Sequence, residues 1–152
     1  MSEVSDKLVT FVAAFEGFRA LPYWDVDHYS HGYGTRTTQG AGPISLSAAR
    51  TELRRELNIV VPSIPRHDRM KQQEIDALAS FAYNLGTRVL VDIDYSTLAK
   101  RLKSKEGRKF TDRRDIYHDE LRKWNSPGTI YEEGLTKRRA AETRMARNGD
   151  YE

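Results

Sequence analysis

Glu16 and Asp25 are the residues whose types and spacing in this sequence best suit chemistry: two carboxylates nine positions apart, on either side of an expected helix end. Cleaving a glycosidic bond takes a protonated carboxylic acid for the leaving oxygen. It also takes an ionised carboxylate that stabilises charge or activates water, so the two acids need different surroundings. The end of a helix carries partial negative charge, and Phe15 and Phe18 would give Glu16 apolar neighbours; both favour its protonated form. Asp25 is expected in a polar turn, where it stays charged, and Asp27 and His28 read as solvated turn residues, with Asp27 a rival to Asp25. A Glu and an Asp this close are common on protein surfaces. The downstream segment Tyr29-Ser30-His31-Gly32-Tyr33-Gly34-Thr35, a strand rich in aromatic residues and punctuated by glycine, is less common.

These side chains need elements to hold them. Val4, Leu8, Phe11, Val12 and Phe15 recur at intervals of three and four, so a helix is expected from Ser5-Asp6 to about Glu16. From Pro22 to about Thr38 the tyrosines, glycines and threonines predict short strands and turns. Gly40 to Pro43 reads as a loop, after which Ser45 or Ser47 caps a helix to about Asn58, and Pro62 and Pro65 bracket the next break. Gln72 to Leu85 has an apolar face broad enough for a helix buried on more than one side, stopping at Gly86. Ser96 caps a helix through Leu98 and Leu102, Thr111 caps one running to Trp124, and Leu135 to Met145 form a last basic helix. The sum is a mainly helical α+β fold with one small sheet near the N-terminus.

At 152 residues the chain has single-domain size, and no apolar run approaches the roughly 20 residues of a membrane span. Met1 to Lys7 carry acids where an export signal has a basic head, so no standard signal is expected. Absence of cysteine removes disulfides, thiolate metal sites and a cysteine nucleophile, and the four histidines lack metal-ligand spacing, so no metal is expected. The net charge of +3 is uneven, with the excess of Lys and Arg confined to residues 100 to 152. A basic surface attracts polyanions without naming one. No motif for reading nucleic acid accompanies it.

Glu16-Gly17, Tyr23, Asp25 and the Gly32-Tyr33-Gly34 strand together resemble the active-site segment of phage-type lysozymes, a family of glycoside hydrolases. Ser80-Phe81-Ala82-Tyr83-Asn84-Leu85-Gly86 is similar to that family's central helix. Leu121-Arg122-Lys123-Trp124 and Gly134-Leu135-Thr136-Lys137-Arg138-Arg139-Ala140-Ala141-Glu142 are similar to its C-terminal region, so the resemblance spans nearly the whole chain.

The resemblance implies a lysozyme-like fold of two lobes, a small lobe at about 16–60 and a helical lobe at about 70–152 packed with the N-terminal helix. It implies a muramidase that needs no cofactor and hydrolyses the β-1,4 bond between N-acetylmuramic acid and N-acetylglucosamine. Glu16 would be the general acid and Asp25 would place the attacking water, with inversion and a carboxyl separation of about 6.5 to 9.5 Å. The family's threonine is missing: aligning on Gly32-Tyr33-Gly34 puts Ser30 in its place, counting from Asp25 puts His31 there, and Ser30 is favoured because it keeps a hydroxyl. Thr35 stands where the family has a histidine. Tyr33, Tyr83 and Asn84 match cleft-lining positions, and Thr97 and His118 align more loosely with substrate contacts. Trp124 reads as core, and Arg138 and Arg139 as partners for acids near the active-site helix or as exposed basic residues. The implied partner is bacterial peptidoglycan, with electrostatic contact to anionic wall or outer-membrane polymers, for a monomer held in the host cytoplasm until holin-dependent release or carried in a virion. A lytic transglycosylase and a non-catalytic wall-binding module are the alternatives.

Overall fold

A computed structural model describes residues 3–152. Met1 and Ser2, where an export signal would begin, lie outside the described residues. Helix α1 (Asp6–Glu16) leads into an antiparallel sheet of β1 (Arg19–Asp25), β2 (His28–Gly32) and β3 (Thr35–Thr37), in that order. The rest is helical: α2 (Leu46–Val60), α3 (Gln72–Leu85), α4 (Arg88–Val91), α5 (Thr97–Lys103), α6 (Phe110–Glu120) and α7 (Glu132–Asn148), with short 3-10 turns between. The expected mainly helical fold with a small N-terminal sheet is what forms. Among the described residues no helix is long and apolar enough to cross a membrane, and no group of three His, Asp or Glu side chains is placed to hold a metal ion.

α3 is the hub of the fold. Its residues from Glu74 to Ala82 are all buried, and it packs most extensively on α7. Leu8 and Val12 of α1, Leu53 and Leu57 of α2, Leu98 and Leu102 of α5, and Met145 of α7 fill the core with Leu78 and Phe81. Trp124 joins it as a half-buried ring, meeting Phe81 edge-on with centroids 6.2 Å apart.

Two acids inside α3 have no counterpart among the expectations from sequence. Glu74 is fully buried, where Arg113 of α6 donates to both its oxygens, at 2.5 and 3.0 Å, and the Tyr117 hydroxyl donates at 2.7 Å. Burial, with the Glu74 charge beside it, raises the Tyr117 pKa well above the ordinary range. Asp76 is likewise buried. It accepts from the Ser5 backbone N–H at 3.0 Å, the Ser5 hydroxyl at 2.5 Å and the Tyr151 hydroxyl at 2.5 Å. Buried carboxylates persist only when paired or hydrogen-bonded, and these two tie the hub to α6, to the start of α1 and to the C-terminal tail.

Several boundaries move relative to expectation. Ser45, not Ser47, caps α2, its hydroxyl accepting from the Ala48 N–H at 3.1 Å. α6 starts at Phe110 with Lys109 as its cap residue, so Thr111 lies inside the first turn, and Leu121–Lys123 tighten into a 3-10 turn instead of continuing to Trp124. α7 starts at Glu132 and ends at Asn148, longer than its apolar spacing indicates.

Candidate active site

α1 is fixed at both ends. At its start, the Ser5 hydroxyl accepts from the Leu8 N–H at 3.2 Å while donating to Asp76, which caps the helix and pins it to α3. At its end, Gly17 takes φ 71°, a left-handed conformation suited to glycine, and its N–H closes on the Ala13 carbonyl at 3.1 Å. Glu16 is the last helical residue. Its Oε1 accepts from Arg138 Nη1 of α7 at 2.9 Å. Arg138 is 5% exposed, its Nε donates to Glu142 at 3.3 Å, and Glu142 is also paired with Arg139 at 2.7 Å and accepts from the Ser80 hydroxyl at 2.5 Å.

The apolar setting expected for Glu16 is therefore not the one it has. Phe15 and Phe18 are 42% and 39% exposed; Phe15 turns its ring to the Arg138 guanidinium, 5.3 Å from the centroid, and Phe18 packs on Tyr33 at 5.7 Å. A buried cluster of Arg138, Arg139 and Glu142 stands behind the carboxylate instead. The reading of Arg138 and Arg139 as exposed basic residues fails, because both are buried.

Asp25 closes β1, opposite His28, so Val26 and Asp27 alone make the hairpin turn. Asp25 thus ends a strand instead of sitting in an open turn. Val26 takes φ 61° and is 89% exposed, an unfavourable state for a β-branched residue at a tight hairpin. The Ser30 hydroxyl donates to Asp25 Oδ2 at 3.1 Å, and Ser30 is fully buried. Asp27 bonds His28 at 2.6 Å, and that hydrogen bond, reinforced by the charges of His28 and Arg36, holds its carboxyl below the usual range.

Both carboxylates line one open cavity of about 630 Å³, with the sheet on one side and the ends of α1 and α3 on the other. Tyr23, Tyr33, Tyr83 and Asn84 share it, as do His28, Gly34, Thr35, Arg36 and Glu56. Burial, with Glu16 and Glu56 nearby, pushes the Tyr83 hydroxyl up to about 12. Burial and the Asp25 charge also raise Tyr23. Both phenols stay protonated through the neutral range and present donors to the cavity. A second cavity of about 560 Å³ adjoins the first at Glu16 and Asn84, walled by Ile130, Tyr131 and Leu135.

Of the sequence candidates, Glu16, Asp25, Tyr33, Tyr83 and Asn84 come together at the cavity, with Ser30 directly behind Asp25. His31 does not join them: its Nε2 lies 3.1 Å from Glu52 Oε2 of α2, because alternate residues of a strand face opposite ways and Ser30 takes the inward side. Thr97 is an exposed residue at the first turn of α5, and His118 sits on α6 with its ring half exposed beside Asp119; neither lines the cavity. Arg36 and Glu56 are cavity residues that the sequence pattern did not single out, and each looks in sequence like any other charged residue on a solvated face.

The phage lysozyme family pattern matches residues 13–142. The endolysins of Bacillus phages B103 and PZA are each 29% identical over 154 aligned residues that cover 97% of this chain. They are longer proteins, of which the aligned part is 55% and 56%, so the chain spans about half the length of these curated relatives. Among solved structures, an endolysin from Escherichia coli O157:H7 phage FAHEc1 superposes with TM-score 0.77 at 24% identity, covering 99% of this chain and 97% of that one. The muramidase domain of SpmX from Asticaccaulis excentricus gives 0.76 at 24%, covering 96% and 98%. These likenesses bear on the fold, whereas the family pattern takes in the carboxylate pair, the glycine strand, the central helix and the Arg138 cluster together. The chain belongs to the phage lysozyme family.

Proposed function

We propose that this chain is a muramidase acting on bacterial peptidoglycan by acid/base hydrolysis of the β-1,4 bond between N-acetylmuramic acid and N-acetylglucosamine. The observation that carries the reading is the meeting of Glu16 and Asp25 at one cavity, each held by a different device. Glu16, pinned through Oε1 by Arg138, protonates the leaving oxygen with its other oxygen. Asp25, oriented by Ser30, positions the water that attacks the anomeric carbon from the opposite face, which gives inversion. Tyr23 and Tyr83 donate to sugar oxygens, and Asn84 fixes the glycan beside Glu16. The cavity is the cleft between a small lobe at about 16–60 and a helical lobe at about 70–152. The protein works as a monomer, its basic C-terminal third adding non-specific attraction to anionic wall or outer-membrane polymers. It reaches periplasmic peptidoglycan after release from the host cytoplasm or from a virion.

Mass spectrometry of fragments released from purified peptidoglycan tests this with wild type, Glu16→Gln and Asp25→Asn. Hydrated reducing ends from wild type, lost in both variants, are expected. Anhydro ends that survive Asp25→Asn would make the protein a lytic transglycosylase, and no fragments from folded wild type would leave a wall-binding module.

A further inference from the structure

Arg36 is an exposed cavity residue, and among the described residues its guanidinium makes no hydrogen bond or ion pair. Its position follows from sheet register. Tyr23 pairs with Ser30 and Ser30 with Arg36, so the three form one row across β1, β2 and β3. Neighbouring strands stand about 4.8 Å apart and residues in one row share a face. Arg36 is therefore one strand from the serine that holds Asp25, on the face that looks into the cavity.

The other cavity charges sharpen its role. Glu16, Asp25 and Glu56 are acids. The basic side chains close to it are already engaged: Arg138 by Glu16 and Glu142, His28 by its hydrogen bond to Asp27. Arg36 acts on Asp27 through its charge but donates no hydrogen bond to it, so at an acid-lined cleft its planar fork of donors is available for a carboxylate brought by the ligand.

Resting on the peptidoglycan reading above, we infer that Arg36 binds a carboxylate on the lactyl side arm of the muramic acid residue, and so makes the cleft prefer charged wall strands to uncharged glycan. The side arm offers that anion in two forms: its own carboxylate where the peptide has been removed, or a carboxylate of the attached stem peptide. Arg36 is a specificity residue here and takes no part in the bond-breaking step.

The test compares wild type, Arg36→Gln and Arg36→Lys on three materials: intact purified peptidoglycan, amidase-stripped glycan strands, and peptidoglycan whose carboxyls have been converted to amides. On intact wall Arg36→Gln should raise KM about tenfold, the scale of one lost charge-assisted contact, with kcat within about twofold. Arg36→Lys should recover part of the loss. On the amidated wall the difference between wild type and Arg36→Gln should vanish. An effect on intact wall identifies a stem-peptide carboxylate, because the lactyl carboxyl there is held in amide linkage; an effect on stripped strands alone identifies the freed lactyl carboxylate. A KM unchanged on both intact wall and stripped strands, or an equal rise on amidated wall, overturns the inference. Co-sedimentation with intact and amidated wall, comparing Glu16→Gln with the Glu16→Gln/Arg36→Gln double variant, reads the same contact without turnover. If wild type proves inactive, the muramidase reading fails by itself while this binding comparison still decides the role of Arg36.

Discussion

Arg138 Nη1 stands 2.9 Å from Glu16 Oε1, joining residues 122 positions apart, and the same guanidinium reaches Glu142 through Nε at 3.3 Å. One buried cation thus couples the end of α1 to the interior of α7. The carboxylate cannot swing away from the cavity without breaking a contact that the core itself holds in place.

Arg138→Gln should therefore cost both stability and activity. Removing one member of a buried ion cluster leaves the rest unbalanced, at about 3 to 5 kcal/mol, which urea unfolding monitored by circular dichroism will measure. Turnover of peptidoglycan should fall by about tenfold or more at a temperature where the variant is folded, since misplacing a reacting group is expensive. Wild-type turnover in folded Arg138→Gln would mean that the pair serves only the fold.

Ser30 and His31 are adjacent in sequence and opposite in placement, so their variants should separate cleanly. Ser30→Ala removes the donor to Asp25 and should lower kcat by about tenfold or more with little change in KM, the pattern for an interaction used in the transition state. Ser30→Thr keeps the hydroxyl and should retain more activity. His31→Ala loses the contact with Glu52 and should cost stability of about 1 kcal/mol while leaving kcat within a few-fold. The reverse order of effects would put His31, not Ser30, behind the reaction.

Gly32 ends β2 with φ 60°, and a Cβ there would lie 3.0 Å from the Ala49 Cβ of α2. Gly32→Ala forces a left-handed conformation on alanine, at about 1 to 2 kcal/mol, and pushes the sheet off α2. Because Gly32 pairs with Arg19 of β1, the shift should reach the cavity face. A fall of several degrees in Tm with reduced turnover is expected, and an unchanged Tm would show that the sheet edge is compliant.

Alkaline pH should weaken the fold partly through Tyr83. Its pKa is about 12 in the folded chain against an ordinary value of 10.0, so the unfolded chain loses this proton first. Its contribution is intact below pH 10 and is lost as pH rises from about 10 to about 12, up to about 2 to 3 kcal/mol. Tyr83→Phe has no such proton and should show a shallower loss of stability over that window in denaturant titrations at fixed pH. Parallel curves for the two proteins would exclude the effect.

Local structure was legible in the residues themselves. The apolar period and Gly86 predict α3 at Gln72 to Leu85, the bounds that form, and the caps at Ser5, Ser45 and Ser96 do as their side chains require. The reason is range: a cap, a turn glycine or a helical stripe is a relation among residues within a few positions of each other. The same short range put Glu16 and Asp25 forward as a pair. Their surroundings came only with the folded chain. Arg138 behind Glu16, Arg36 and Glu56 at the cavity, and Glu74 and Asp76 paired inside the hub helix are long-range meetings of charges; for Arg138 the resemblance left pairing and exposure both open, and in sequence the other charges look like parts of a solvated face. Strand register did the rest: with a side-chain period of two, a single position separates Ser30 on Asp25 from His31 on Glu52, and only the pairing of β1, β2 and β3 fixes which residue turns inward.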